Sequence, residues 1–138
     1  MLEGIKGKRV LVTGASGGIG SATARLFAEY GAVVGIHHNQ SGSEADQIVR
    51  DIETKGGRGS VFQADLTADS PEEMVYSFIN KFGGMDVLVN NAGAVIGPKD
   101  ILDLDTESWD KTFRLNAQAP FFLAQCAFRH MRENGGGK

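Results

Sequence analysis

Two hydropathic rhythms alternate along this chain. Short apolar runs bounded by turn residues recur at 9–13, 32–37, 60–64 and 86–90, and longer stretches with apolar residues at helical spacing lie between them. The runs predict four strands. After the first, the spacing of Ile19, Ala22, Leu26, Phe27 and Tyr30 predicts a helix over 18–30, with Gly31 as its stop. A second helix starts near Ser43, places Ala45, Ile48, Val49 and Ile52 on one face, and ends at Gly56 and Gly57. The third has the clearest start: Ser70 as N-cap, Pro71 in the first turn, and Glu73 to close a capping box. Met74, Val75, Phe78 and Ile79 form its inner face, and Gly83-Gly84 end it. A loop with Gly93, Gly97 and Pro98 then leads to a long helix over 106–132, where Trp109 and Phe113, four apart, read as packing anchors.

The order βαβαβαβα predicts an α/β fold: a doubly wound, Rossmann-like parallel sheet with helices on both faces, truncated after the fourth βα unit. No linker or repeat divides residues 1–138, which read as part of a single domain. Apolar residues make up 41% and charged residues 22%, so the pattern belongs to a chain able to bury a core. A net charge of −3 leaves no basic footprint for nucleic acid, and no apolar run approaches the roughly 20 residues of a membrane span. The polar start MLEGIKGK is no secretory signal, so a cytoplasmic location is expected. Cys126, the one cysteine, excludes an intrachain disulfide and reads as a packed thiol within FFLAQCAF.

Chemistry enters at residues 13–20, TGASGGIG, where the first strand meets the first helix. A helix N-terminus offers unpaired N–H groups and the positive end of a dipole, a natural seat for phosphate. Glycines there let the backbone approach a ligand and permit left-handed dihedrals. The spacing is not GxGxxG; the glycines fall at Gly14, Gly18 and Gly20, and by themselves they also suit a plain tight turn.

Preceded by Thr13, that spacing resembles the TGxxxGxG motif of the short-chain dehydrogenase/reductase family. Three further stretches, in order, are similar to the family's: Asp65 in QADLT after strand three, Asn90-Asn91-Ala92-Gly93 after strand four, and Asn116 in the long helix. The texture of these motifs leans toward the branch of 3-oxoacyl-carrier-protein reductases. The resemblance implies strand order 3-2-1-4 and a nicotinamide dinucleotide across the ends of strands one and four. It implies cofactor contacts from Gly14, Ser16, Gly18, Ile19 and Gly20, from Asp65 and Leu66 near the adenine, and from Asn91, Ala92 and Gly93. For Asn90, strand support and cofactor contact both stay open.

An acid at the end of strand two normally takes the ribose hydroxyls of NAD and repels the extra phosphate of NADP. Here stand His37, His38 and Asn39, with no carboxylate, so NADP is favoured over NAD and all three are candidate contacts. The histidines also suit a solvated strand end. Gly17 occupies a loop position where NADP-using members often carry a basic residue.

Pro120 cannot donate to the carbonyl four residues earlier, which is that of Asn116. In the family the matching asparagine kinks this helix, and its carbonyl holds a water in the proton relay, which makes Asn116 the catalytic candidate. The family's other catalytic groups are a serine after strand five and a Tyr-x-x-x-Lys pair. Neither Tyr30 nor Tyr76 is followed by lysine four places on, and Lys138 stands where strand five is expected to begin. The expectation is therefore the cofactor-binding half of an NAD(P)-dependent oxidoreductase acting on a small carbonyl or alcohol substrate, inactive alone and associating as a homo-oligomer. The alternatives are a stand-alone dinucleotide-binding or sensing module and an interaction remnant.

Overall fold

A computed structural model describes residues 4–138. Among them β1 (Arg9–Val12), β2 (Val33–His38), β3 (Arg58–Gln63) and β4 (Val87–Val89) form one parallel sheet in the order β3-β2-β1-β4. Val10 lies beside Val34 on one side and Val87 on the other, and Val12 beside Ile36 and Val89. The chain winds outward from β1 through β2 to β3, then crosses back to β4. The carboxyl ends of β1 and β4 thus flank the point where the winding reverses, the expected order and the place where open α/β sheets hold ligands.

Alternation along each strand feeds two cores. Val10, Val12, Val34 and Ile36 meet α1 (Gly18–Glu29) and α2 (Gly42–Thr54) through Ala24, Ala28, Ala45, Ile48 and Ile52. On the other face Leu11, Phe62 and Ala64 meet α3 (Pro71–Phe82) and α5 (Ala119–Glu133) through Met74, Val75, Phe78, Leu123, Cys126 and Met131. Gly35 carries no side chain because the Phe78 ring fills its place, where a Cβ would stand 2.7 Å away.

Two local expectations need correction. The face of α1 on the sheet is Gly20, Ala24 and Ala28, whereas Ile19, Leu26 and Tyr30 are exposed. This row of small residues brings the helix close to the strands, and a periodicity read from large apolar side chains selects the wrong face. Ser70 is the N-cap of α3 with Pro71 behind it, but its side chain makes no capping hydrogen bond. The start rests on the fixed φ of Pro71 and on Glu72 and Glu73 beside the positive helix end.

The long helix is α4 (Thr106–Phe113), a π-helical turn (Arg114–Gln118) and α5 in succession. Asp105 caps α4, accepting from the Ser108 N–H at 2.7 Å. The disturbance expected at Asn116 is the π turn itself: Pro120 has no N–H to offer, and the Ala119 N–H bonds Arg114 O five residues back. Trp109 and Phe113 stack on each other, centroids 4.6 Å apart, but remain half exposed and anchor nothing in the core.

After α5, Gly135 and Gly136 adopt φ of +90° and +95° and turn the chain back. The Lys138 N–H donates to Asp86 O at 3.0 Å, and the Leu88 N–H to Lys138 O at 2.9 Å. Val87 and Val89 pair with β1, so the intervening bonds lie on the opposite edge, in the pattern of a parallel strand. The outer edge of β4 is engaged at this one residue. Among the described residues no helix is long and apolar enough to cross a membrane.

Candidate dinucleotide site

Side chains tie the carboxyl ends of β1 and β4 together. The buried Thr13 hydroxyl accepts from the Asn91 and Ala92 N–H groups, each at 2.9 Å, and donates to Val89 O at 3.3 Å. Asn91 returns the link through Nδ2, which donates to Thr13 O at 2.9 Å and Gly14 O at 3.1 Å. From the other side, β2 takes the next two donors: the Gly14 N–H bonds His37 Nδ1 at 2.9 Å and the Ala15 N–H bonds His37 O at 2.8 Å. Both neighbours of β1 therefore hold the loop in place.

Gly14, Gly18 and Gly20 divide the labour. At Gly14, with φ +60°, a Cβ would stand 2.8 Å from Ala92 Cα; at Gly20 it would run into the Gly14 carbonyl and the Asn91 amide. These two are glycine so that the loop, α1 and the end of β4 can approach. Gly17 and Gly18 face open space, Gly18 with φ +53°. Gly17 is the N-cap of α1, no side chain caps it, and the first turn holds no acid. The first N–H groups of the helix and its positive end are left for an anion. Ser16 is half-buried beside them and Ile19 is 80% exposed.

His37 departs from the sequence expectation. It is only 3% exposed, neither a solvated strand end nor a free donor for phosphate. Besides Nδ1 on the Gly14 N–H, its Nε2 lies 3.0 Å from Ala64 O. An amide N–H only donates and a carbonyl only accepts, so the ring is the neutral Nε2–H tautomer with both nitrogens used. Burial pushes its pKa below the ordinary 6.5 and His38 pushes the same way, outweighing the opposing effect of the Ala64 bond.

His38 is also buried, and its Nδ1 has no partner among the described residues. Its ring lies against the start of α2, where a Cβ on Gly42 would be 3.3 Å from His38 Cε1. Asn39 is exposed.

Asp65 Oδ1 accepts from the Thr67 N–H at 2.9 Å and the Thr67 hydroxyl at 2.7 Å, which holds the carboxyl below its usual range. Leu66 is in the core, so a ligand can meet only its main chain. Asn116 Nδ2 donates to Ala94 O at 2.6 Å and Thr112 O at 2.7 Å, and a Cβ on Gly93 would be 2.8 Å from its Oδ1. The side chain staples the loop after β4 to the π turn and leaves the main-chain carbonyl that Pro120 cannot reach. Asn90 Nδ2 bonds Pro120 O at 3.2 Å, which gives this residue a supporting role.

The structure therefore gathers Gly14–Gly20, His37 and Asn91–Gly93 at one rim, with Asn116 joined through Ala94. Sequence reasoning passed over Thr13 as an acceptor and His37 as an internal brace. The available signal was a polar side chain at the end of an otherwise apolar strand, expected to be buried and so in need of partners. A cavity of about 400 Å³ opens at the opposite rim, between the ends of α1 and α2. Four of its charged lining residues are already paired, Arg25 with Asp51 at 2.7 Å and Lys55 with Glu29 at 3.2 Å, and Arg58 also lines it.

The family model for short chain dehydrogenases matches residues 8–138. An uncharacterized oxidoreductase of Thermotoga maritima is 38% identical over 132 residues, covering 96% of this chain and 51% of that protein. The crystal structure of a short chain dehydrogenase from Burkholderia cenocepacia in complex with NADP superposes with a TM-score of 0.84 at 39% identity, covering 91% of this chain and 51% of that one. An NADH-dependent reductase, A1-R', complexed with NAD, gives 0.84 at 35% identity, with 94% and 54% covered. The chain spans about half the length of the relatives it matches.

Proposed function

The chain belongs to the short chain dehydrogenase family, and on that premise we propose that it supplies the cofactor-binding part of an NAD(P)-dependent oxidoreductase. The observation that carries this reading is the open Gly17–Gly18 start of α1, uncapped and acid-free, on a loop braced by His37 and Asn91. The donor set fits a dinucleotide. The main chain of Gly14–Gly20 would hold the pyrophosphate, with Ser16 beside it; Asp65 Oδ2 and the Leu66 main chain would take the adenine. Asn91 spends both Nδ2 protons inside the protein, so its contribution is to position the loop, and Ala92 and Gly93 would meet the ligand through backbone. Ile19, apolar and exposed at the first turn, would be covered by the bound ring system. When bound, the nicotinamide gives or takes a hydride at a carbonyl or alcohol carbon of a small substrate.

NADP is favoured. No carboxylate stands at the end of β2 to repel a second phosphate, and exposed Asn39 offers a polar group there. Relatives solved with NADP and with NAD bracket this choice. Asn116 contributes its main-chain carbonyl, kept from an α-helical partner by Pro120, as a hydrogen-bond acceptor for a water in proton transfer. The exposed aromatic residues of α4 and α5 favour a homo-oligomer, and the cytoplasm is the compartment we assign.

The test is calorimetric titration of the 138-residue chain with NADPH and NADH. Binding should weaken at least tenfold in Gly18→Val, whose side chain meets no other atom in the fold but blocks backbone approach to a ligand and strains the φ of +53°. Unchanged affinity would place the dinucleotide elsewhere. A second reading is a binding module without catalysis. Steady turnover of NADPH with any ketone would exclude that module.

A further inference from the structure

We propose that His37 is a positioning residue: as a neutral ring it pins the glycine loop to the end of β3, and protonation of that ring releases the loop. The geometry is a three-part chain. The Gly14 N–H donates to Nδ1 at 2.9 Å, Nε2–H donates to Ala64 O at 3.0 Å, and the Ala15 N–H bonds His37 O at 2.8 Å. One residue of β2 thus holds two successive loop amides by main chain and side chain together, and bridges to β3 through its second ring nitrogen. A proton added at Nδ1 would point at the Gly14 N–H, donor against donor, on a ring that is only 3% exposed. The ring must then leave its position or the Gly14 amide must turn, and either movement disturbs the N–H groups at the start of α1.

The surroundings oppose that proton. On β2 the neighbour is His38, whose charge acts against it. At the end of β3 stands Asp65, its Oδ1 already taken by Thr67, with Asp69 accepting from the Asp65 N–H at 2.6 Å, and no carboxylate acts on the ring. The ends of β1 and β4, Thr13–Gly17 and Asn90–Gly93, carry no titratable side chain. The neutral form is thus held at neutral pH and yields only as pH falls below the ordinary histidine value of 6.5. Because the loop serves both dinucleotides, loosening it weakens NAD(H) and NADP(H) alike. A charged histidine directly on the extra phosphate would instead strengthen NADP(H) alone.

The consequence for ligand affinity rests on the dinucleotide reading; the pin itself does not. Nitrogen-15 NMR of the free chain should show the His37 ring as the Nε2–H tautomer at pH 7.5. Protection of the Gly14 amide against hydrogen exchange, corrected for intrinsic rate, should fall by about five- to tenfold once His37 is protonated, the loss of roughly one hydrogen bond. His37→Asn keeps an acceptor for the Gly14 N–H and cannot titrate, so its Gly14 protection should be flat between pH 7.5 and 5. His37→Phe removes the acceptor, and Gly14 should be unprotected at every pH. If this variant fails to fold, the asparagine variant still decides. A Gly14 amide whose protection ignores His37 titration, or a wild-type profile retained in His37→Asn, would overturn the proposal. Calorimetry with NADH and NADPH from pH 7.5 to 5 forms the ligand arm. Parallel weakening that vanishes in His37→Asn supports the pin, and NADPH tightening alone counts against it. Failure of both ligands to bind at any pH would defeat the dinucleotide reading while the exchange profile still judges the pin.

Discussion

Single residues at the loop carry separable loads, and substitutions should separate them. Gly17 has φ of −167°, extended backbone that any side chain adopts, and open space around it. Gly17→Arg should therefore leave the denaturation midpoint nearly unchanged. It should tighten NADPH over NADH by about tenfold, the worth of one charge-assisted hydrogen bond. Gly20 is the opposite case, since a Cβ there meets the Gly14 carbonyl. Gly20→Ala should lower stability and abolish binding together, as urea titration and calorimetry on one sample would show. Thr13→Val is nearly isosteric but leaves the Asn91 and Ala92 N–H groups without their acceptor. Its expected cost is about 1–3 kcal/mol by urea unfolding; a neutral result would mean that those amides find another partner.

At the scale of elements, the sequence already shows order and type, because alternating apolar strands and amphipathic helices leave few other architectures. The inner faces of α2 and α3 follow the spacing of Ile48, Ile52, Met74 and Phe78. The face of α1 does not, because Gly20, Ala24 and Ala28 bury little area individually and carry no hydropathic signal. The role of His37 was hidden for a different reason: its partners, Gly14 N–H and Ala64 O, are backbone groups just beyond the ends of β1 and β3, and no side-chain pattern announces them. The starts of β1 and β4 are joined by Arg9, which bonds Asp86 through Nε at 2.7 Å and Nη2 at 3.0 Å. Arg9 holds the Asp86 carboxyl below its ordinary value of 3.8, so the pair's stability is present above that pH and is lost as pH falls through the lowered value. Asp86→Asn should cost about 1–3 kcal/mol at pH 7, and its difference from wild type should shrink below pH 3.8. In α5, Pro120→Ala would restore a donor to the Asn116 carbonyl and favour a regular ladder over the π turn. In a full-length context it should lower turnover more than stability, the signature of a carbonyl used in proton transfer.

At the scale of the whole molecule, a set of exposed apolar groups and a set of absent functional groups lead to one expectation. Trp109, Phe113, Phe121 and Phe128 are each at least half exposed along α4 and α5, and Ile101 and Leu102 stand exposed just before them. Apolar surface of this kind, along two successive helices and the loop before them, favours contact with another molecule. Lys138 pairs with Asp86 and Leu88 at only one residue along the outer edge of β4. These 138 residues should therefore associate in a concentration-dependent way, with a mass above the 14.7 kDa of one chain in sedimentation equilibrium. Phe113→Glu combined with Phe121→Glu should shift the population toward monomer without lowering helix content, because both side chains lie outside the two cores. The same preparation should not oxidise NADPH with simple ketones. Of the groups named for proton transfer only Asn116 is present, and general acid–base help alone is typically worth about 10²–10⁴ in rate. Dinucleotide binding without turnover, in an associating chain, is the combined result that this structure predicts. A verified 138-residue monomer that turns over NADPH would mean that proton transfer uses a group outside the Asn116 arrangement and that the aromatic residues of α4 and α5 need no cover.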